Sequence, residues 1–306
     1  MNMQLQEPSG VLIVHKHEGL TSHDVVNQIR RLYHTRKVGH TGTLDPMATG
    51  VLVVLIGRAA KASEYLVTDQ KRYLATLRLG LTTDTEDTTG TVLTTNGRTV
   101  TEEDLQSVLP RFRGVIEQIP PMYSALKVNG QKLVDLARRG ETVERKPRKI
   151  EILALSAEKT EIENEFRLDV TCSGGTYIRT LCADIGAALD VGGAMASLCR
   201  LETGGFSLSQ AHTMQALSEM TDEERLALLI PIEQLFVTLD AVKLPAFFER
   251  LCRGGCEIYQ KKIGTHHALG TRVRLCREDG QFFALGEVGE YPDGSAIKAI
   301  KTFELE

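Results

Sequence analysis

A single carboxylate, Asp45, stands in a loop punctuated by Gly39, Gly42, Pro46 and Gly50, with His40 the other titratable side chain among them. A carboxylate held this way can attack carbon or take up a proton. It can equally cap the turn before Pro46, the ordinary fate of Asp before proline, and the residues alone leave both readings open. The proline ring drives Asp45 out of the helical region, into an extended or turn conformation. Apolar Val51–Ile56 follows and reads as a buried strand or short helix. The pattern is that of a reactive group fixed in a rigid loop between buried segments.

The elements that must position this loop can be read from the surrounding periodicity. Gly10–Lys16 predicts a strand, and Thr21 or Ser22 caps a helix whose apolar stripe is Val25, Val26, Ile29, Leu32 and Tyr33. A short helix is expected from Ala59 to Leu66. Lys71–Leu79 alternates as a strand with Tyr73, Ala75, Leu77 and Leu79 on one face, and Thr82–Gly90 reads as a loop. Thr101 with Asp104 opens a helix that Pro110 closes. From Pro120 to Pro147 runs a polar, basic arm with an Asn129-Gly130 turn and a helix from Gln131 to Arg139. Too polar to bury, it is expected on the surface. Ile150–Ala157 and Glu165–Cys172 predict paired strands, and an amphipathic helix is expected from Tyr177 to Leu189. Further helical stretches are expected at Met214–Met220 and Glu223–Leu229. Beyond Pro231 and Pro245 the texture becomes all-β, with strand-like runs at 271–275, 282–288 and 296–303.

Composition narrows the function classes. The 306 residues carry a net charge of −4, which argues against a uniformly basic nucleic-acid binder. Charge is nevertheless local: Lys127–Lys149 holds eight Lys or Arg against three acids, and Arg30–Lys61 holds six against Asp45 alone. Two basic windows flanking the candidate loop suit a phosphate-tracking surface or a solvated face. The longest apolar run is far too short to span a bilayer, and the first residues lack the basic start and apolar core of a signal peptide. No membrane association and a cytoplasmic location are expected. The six cysteines make no C-x-x-C pair, so no metal is expected.

His40-Thr41-Gly42-Thr43-Leu44-Asp45-Pro46-Met47-Ala48-Thr49-Gly50 closely resembles the catalytic motif of the TruB family, the bacterial tRNA pseudouridine 55 synthases. Lys71-Arg72-Tyr73, Gly175-Thr176-Tyr177-Ile178-Arg179 and Leu198-Cys199-Arg200-Leu201 fit the same family in the same order through nearly the whole chain. One departure is visible: His15-Lys16-His17 stands where the family usually has Asp-Lys-Pro. The resemblance implies an α+β pseudouridine synthase fold, with a mainly antiparallel mixed central sheet flanked by helices and loops. It also implies a division into a catalytic domain, 1–236, carrying an RNA-gripping insertion at about 120–147, and a small C-terminal PUA-like β-barrel, 237–306, that holds RNA.

The implied activity is isomerisation of uridine 55 in the T-loop of tRNA, without cofactor, on a flipped-out base. A separate tRNA-folding chaperone role is a further possibility of the family. By the same resemblance Asp45 is the nucleophile, at C1′ or at C6, and Arg179 is its cationic partner. Tyr73 stacks on the base and assists proton transfer at C5, while Tyr177 and Leu198 line the uracil site. His40 helps extrude the base. Lys16, Arg58 and Lys61 are weaker candidates for phosphate contact, as are Arg138, Arg139, Lys146 and Lys149 in the arm, which is implied to grip the tRNA T-arm. A monomer needing no protein partner is expected. Taken singly, Tyr73, Tyr177 and Leu198 would be core residues and Arg179 a surface helix arginine. Two other classes compete. An RNA-binding scaffold without turnover would not need Asp45, Tyr73 and Arg179 in this order. A nucleotide-binding enzyme would need the G-x-x-x-x-G-K-[ST] loop, which is missing. The related H/ACA-guided family shares the catalytic motif, but the long arm favours a stand-alone enzyme.

Overall fold

The computed structural model describes residues 7–66 and 70–303; most of the N-terminal stretch read above for a signal peptide lies outside them. The chain begins with β1 (Gly10–Lys16), α1 (Ser22–Leu32), β2 (Val38–His40), β3 (Thr49–Ile56) and β4 (Lys71–Leu79). There follow a hairpin of β5 (Leu81–Thr83) and β6 (Val92–Thr95), then α2 (Glu102–Val108) and β7 (Gly114–Gln118). The arm contributes β8 (Lys127–Val128), β9 (Gln131–Lys132) and α3 (Leu133–Ala137). Next come β10 (Arg148–Lys159), β11 (Glu165–Cys172), α4 (Ile178–Ala188) and β12 (Gly193–Thr203). They are followed by β13 (Phe206–Ser207), β14 (His212–Thr213), α5 (Met214–Glu219) and α6 (Asp222–Ala227). The C-terminal part holds β15 (Ala241–Lys243), α7 (Ala246–Arg253), β16 (Ile258–Tyr259), α8 (Gln260–Ile263), β17 (Arg272–Cys276), β18 (Phe282–Tyr291) and β19 (Gly294–Thr302).

One ten-stranded sheet, ordered β14-β1-β3-β12-β4-β11-β10-β7 with β2 on β3 and β13 on β12, forms the frame. Its pairs are antiparallel except β1–β14 and β3–β12. The capping boxes read from sequence are present: Thr21 with Asp24 opens α1, and Thr101 with Asp104 opens α2. β4 buries Tyr73, Ala75, Leu77 and Leu79 as its alternation predicts. Gly57–Tyr65 is a 3-10 helix where the sequence predicts a short helix. The arm helix is shorter than its sequence predicts, because the residues after the Asn129-Gly130 turn pair back on β8 before α3 begins.

The C-terminal strands form a second sheet, ordered β15-β17-β18-β19-β16, which curls as a half-barrel; among the described residues its end strands, β15 and β16, do not pair with each other. It does not stand apart from the first. Val11, Val51, Val53 and Leu55 of the large sheet share one apolar cluster with Phe236, Phe282, Leu285 and Phe303. The Phe236 ring lies 5.9 Å from Phe282 and 5.8 Å from Phe303, centroid to centroid. The sequence alone suggests that a chain ended near Leu239 keeps a self-sufficient core; the fold shows that it would leave one side of that cluster open to water. Its Tm is expected to fall by roughly 4 °C or more, as losing about 2–3 kcal/mol of packing would require in a chain this size. An unchanged thermal melt of the truncated chain would contradict this.

Candidate active site

Asp45 lies between β2 and β3, in a loop anchored to the ends of two paired strands. Two buried cations hold the loop by its backbone. Lys16, fully buried at the end of β1, donates from Nζ to the carbonyls of His17 (2.9 Å), Pro46 (3.2 Å) and Ala48 (2.5 Å). Arg200, on β12, donates from Nε to Val51 O (2.7 Å), from Nη2 to Gly42 O (3.0 Å) and from Nη1 to Thr43 O (3.5 Å). Gly50 explains how β12 comes so close: it adopts φ +102°, and a Cβ there would lie 2.2 Å from the Arg200 carbonyl oxygen. Burial pushes the Lys16 ammonium down to about 8, which still leaves it charged at neutral pH, as three carbonyl acceptors require. Lys16 therefore cannot serve as the surface phosphate contact its sequence position suggests. It is a structural cation of the loop.

Arg179, on the first turn of α4, is buried and meets Asp45 side-on: Nε to Oδ2 at 2.9 Å, Nη2 to Oδ1 at 3.4 Å. The remaining guanidinium hydrogens go to Thr85 O (3.0 Å) and Tyr123 O (2.7 Å), with Asp87 Oδ2 3.7 Å from Nη1. Four of the five donors thus meet acceptors within 3.5 Å and Asp87 adds an ion-pair contact, so the fork is held in one orientation. Burial pushes the Asp45 carboxyl up, Arg179 opposes that, and the neighbouring Asp87 charge adds to the rise. Asp87 is itself held by Thr85 and Thr89 through Oδ1.

Asp45 and Arg179 share a cleft of about 370 Å³ with Tyr73, Tyr177, Leu198, Lys71, Tyr123 and Ser124 among its walls. Tyr73 and Arg200 face each other across the β4–β12 pair. Burial raises the Tyr73 phenol while Arg200 opposes it, so Tyr73 is a neutral phenol with a cation beside it to take up developing charge. Tyr177, the residue before α4, is pinned at both backbone groups by the buried Gln118 amide: N to Oε1 at 2.9 Å, and Nε2 to Tyr177 O at 3.0 Å. Burial likewise raises its phenol.

The structure thus brings together Asp45, Arg179, Tyr73, Tyr177 and Leu198. It does not bring His40 into the cleft walls: His40 sits on β2 opposite Val54, with Nδ1 buried and unpartnered, and burial lowers its pKa. The arm is also more than surface. Leu133, Leu136 and Ser124 are buried, Ser124 and Val134 line the cleft, and Tyr123 supplies one acceptor for Arg179. Arg138, Arg139 and Lys146 are exposed on the arm and Lys149 is exposed on β10 just beyond it, with Arg139 drawn to Glu141 at 2.7 Å. Lys61 and Arg58 line a separate cleft with Arg36, Lys37 and Glu7, at the Ile56 end of β3, whereas Asp45 lies in the loop that enters β3 at Thr49.

Sequence reasoning missed Asp87, Gln118 and the anchoring role of Arg200. Arg200 lies inside a family-like motif that by itself gives it no role, and Asp87 lies in a stretch that reads only as loop. A Thr-x-Asp-x-Thr spacing, which suits side-chain-to-backbone turns, is the local signal that marks it.

Asp184, one turn beyond Thr180 on α4, is pushed up to about 6 by burial and by the nearby Glu86 charge. Its folded pKa lies above the unfolded value, so its favourable contribution is full below about pH 4 and lost as pH rises through 6. Asp184→Asn is therefore expected to raise stability at pH 7 by about 1 kcal/mol or less, since the group is partly solvated, and to change nothing at pH 4. Thermal melts of both proteins at the two pH values check this.

Residues 30–178 match the TruB family pseudouridylate synthase N-terminal domain, and residues 179–237 match the tRNA pseudouridylate synthase B C-terminal domain. The chain is 42% identical over 277 residues to a tRNA pseudouridine synthase B of Clostridium kluyveri, covering 90% of this chain and 94% of that one. It is 45% identical over 244 residues to the Staphylococcus aureus protein of the same name, covering 77% and 80%. Among solved structures, a Cbf5-Nop10-Gar1 complex contains a chain with TM-score 0.76 at 24% identity, covering 99% of this chain and 88% of that one. An H/ACA RNP bound to a substrate RNA containing 2′-deoxyuridine gives 0.73 at 22%, covering 100% and 88%, a likeness of fold alone. The matched family domains, the identity to relatives over nine-tenths of the length and the shared fold agree: the chain belongs to the TruB family of pseudouridylate synthases.

Proposed function

We propose that this protein isomerises uridine 55 in the T-loop of tRNA to pseudouridine, with Asp45 as the nucleophile. The observation that carries the proposal is the Asp45 carboxylate, gripped side-on by a buried Arg179 in a cleft walled by Tyr73, Tyr177 and Leu198. The reaction breaks the bond from C1′ to N1 and makes one from C1′ to C5; the proton lost from C5 is balanced by one gained at N1. No electrons are exchanged with an outside group. Asp45 adds to C1′ or to C6 and leaves again when the new bond forms, so either route needs it ionised.

The target must leave its stack to reach Asp45, at a few kcal/mol. Stacking on Tyr73 returns about 1–3 kcal/mol, and phosphate contacts supply the rest. Those contacts come from the outer face of the arm and the Arg36, Lys37, Arg58 and Lys61 cleft. The division at 236/237 is part of the same reading: a catalytic unit followed by a PUA-like unit that holds RNA, together acting as a cytoplasmic monomer without a protein partner. Replacing Arg138, Arg139, Lys146 and Lys149 by Ala should weaken tRNA binding. It should also flatten log affinity against log salt by about 0.9 for each phosphate that the variant no longer neutralises. An unchanged slope would make the arm a solvated face.

Phosphate contacts fix register but carry no sequence information, so recognition rests on the folded T-arm. The test compares kcat/KM for tRNA, a T-arm hairpin and the same nucleotides with the stem pairs disrupted, at one salt concentration. The hairpin should approach tRNA and the linear strand should be poor. Equal rates on hairpin and linear strand would refute recognition by shape.

A further inference from the structure

The first turn of α4 carries Arg179, yet the residue before the helix makes no side-chain cap. Its backbone is held from outside instead. Gln118 fixes Tyr177 on one side. On the other, two neighbouring acids reach two neighbouring residues of the helix: Asp87 approaches Arg179, and Glu86 Oε2 accepts a hydrogen bond of 2.5 Å from the hydroxyl of Thr180. Thr180 is buried, so its hydroxyl has no water to fall back on.

Glu86 is placed for this at some local expense. It sits at φ +63°, a left-handed conformation uncommon for a side chain of this kind. Such outliers persist where surrounding contacts over-determine them, and here they do. The Glu86 carbonyl accepts from Met195 N at 3.0 Å, and Thr88 N donates to Met195 O at 3.0 Å, so the loop is clasped onto β12 three residues before Leu198. The clasp and the Thr180 bond together make a brace from the strand that lines the base pocket to the helix that carries the arginine. A carboxylate beside the first turn of α4 also suits the helix dipole. The Arg179 donors go to Asp45, Thr85 and Tyr123, so the hydrogen bond that Glu86 makes is to the helix through Thr180 and not to the guanidinium.

We propose that Glu86 is a positioning residue for the isomerisation, fixing through Thr180 the angle at which Arg179 meets Asp45. The proposal rests on the functional reading above. A side chain that only orients the pair should alter turnover far more than RNA binding, since misplacement of catalytic groups by a fraction of an ångström is expensive in rate.

The test is steady-state kinetics on unmodified tRNA for Glu86→Ala, Glu86→Gln, Thr180→Val, Thr180→Ser and the Glu86→Ala/Thr180→Val double variant. Amide hydrogen exchange of residues 178–181 is followed in each. Glu86→Ala and Thr180→Val should each lower kcat about tenfold with KM within about twofold. Glu86→Gln and Thr180→Ser, which keep acceptor and donor, should stay within about threefold of the parent, and the double variant should be no worse than either single one. Exchange at 178–181 should speed up in Glu86→Ala. Gln as impaired as Ala, a loss carried by KM, or losses that multiply in the double variant would overturn the proposal. So would unchanged exchange at 178–181, a readout that needs no substrate. A parent protein inactive on tRNA would overturn the functional reading instead, and the exchange result would still decide the role of Glu86.

Discussion

Asp45→Asn should bind tRNA and fail to turn it over. The amide keeps the size and shape of the side chain, so the loop held by Lys16 and Arg200 has no reason to move. It removes the negative charge and the nucleophilic oxygen together. Loss of a nucleophile on which every later step depends lowers turnover by about 10⁴-fold or more. Affinity for RNA should change by less than about threefold, because phosphate contacts from the arm and the separate Arg36–Lys61 cleft do not involve the Asp45 side chain. Single-turnover conversion with enzyme in excess separates the two quantities. Conversion within about a hundredfold of the parent would remove Asp45 from the nucleophile's role.

The second large effect concerns its partner. Arg179→Lys preserves a positive charge but replaces five fixed N–H donors by three on a mobile stem. The Thr85 and Tyr123 carbonyls and one Asp45 oxygen would compete for them. Removing one well-aimed donor from a preorganised site is worth about 10²–10³ in rate, so kcat should fall by that much. The pH profile gives a separate reading. Burial already lifts the Asp45 carboxyl above its ordinary range, and Arg179 is the largest influence opposing it. Weakening that opposition lifts the carboxyl further, so it is protonated at higher pH and the acid limb of activity moves upward. A variant slower than the parent but with the same acid limb would mean that Arg179 orients Asp45 without setting its charge.

Local features of the fold are legible in the sequence because their causes are local. Thr21 and Thr101 cap helices through partners three residues away, and β4 and β11 show their alternation directly. The Asp45–Arg179 pair is readable only through family resemblance, since the two residues are far apart in the chain and neither is unusual alone. Lys16 misleads for a related reason. A lysine near a glycine-rich turn looks exposed, and only the fold brings the Pro46 and Ala48 carbonyls to its ammonium. The arm reads as pure surface because its many charges hide Leu133, Leu136 and Ser124, which bury its base against the cleft. The core shared between the two sheets is invisible in the sequence, since Phe236, Phe282 and Phe303 meet only once the half-barrel has docked.

The central claim is that one uridine, in one folded loop, is isomerised by the carboxylate of Asp45. The most direct measurement is to incubate the protein with unmodified tRNA and map pseudouridine by carbodiimide-dependent stops of reverse transcription. One new stop is expected, immediately 3′ of uridine 55, with the parent protein and none with Asp45→Asn. Stops at other uridines, no stop at 55, or the same stop with the Asn variant would contradict the account.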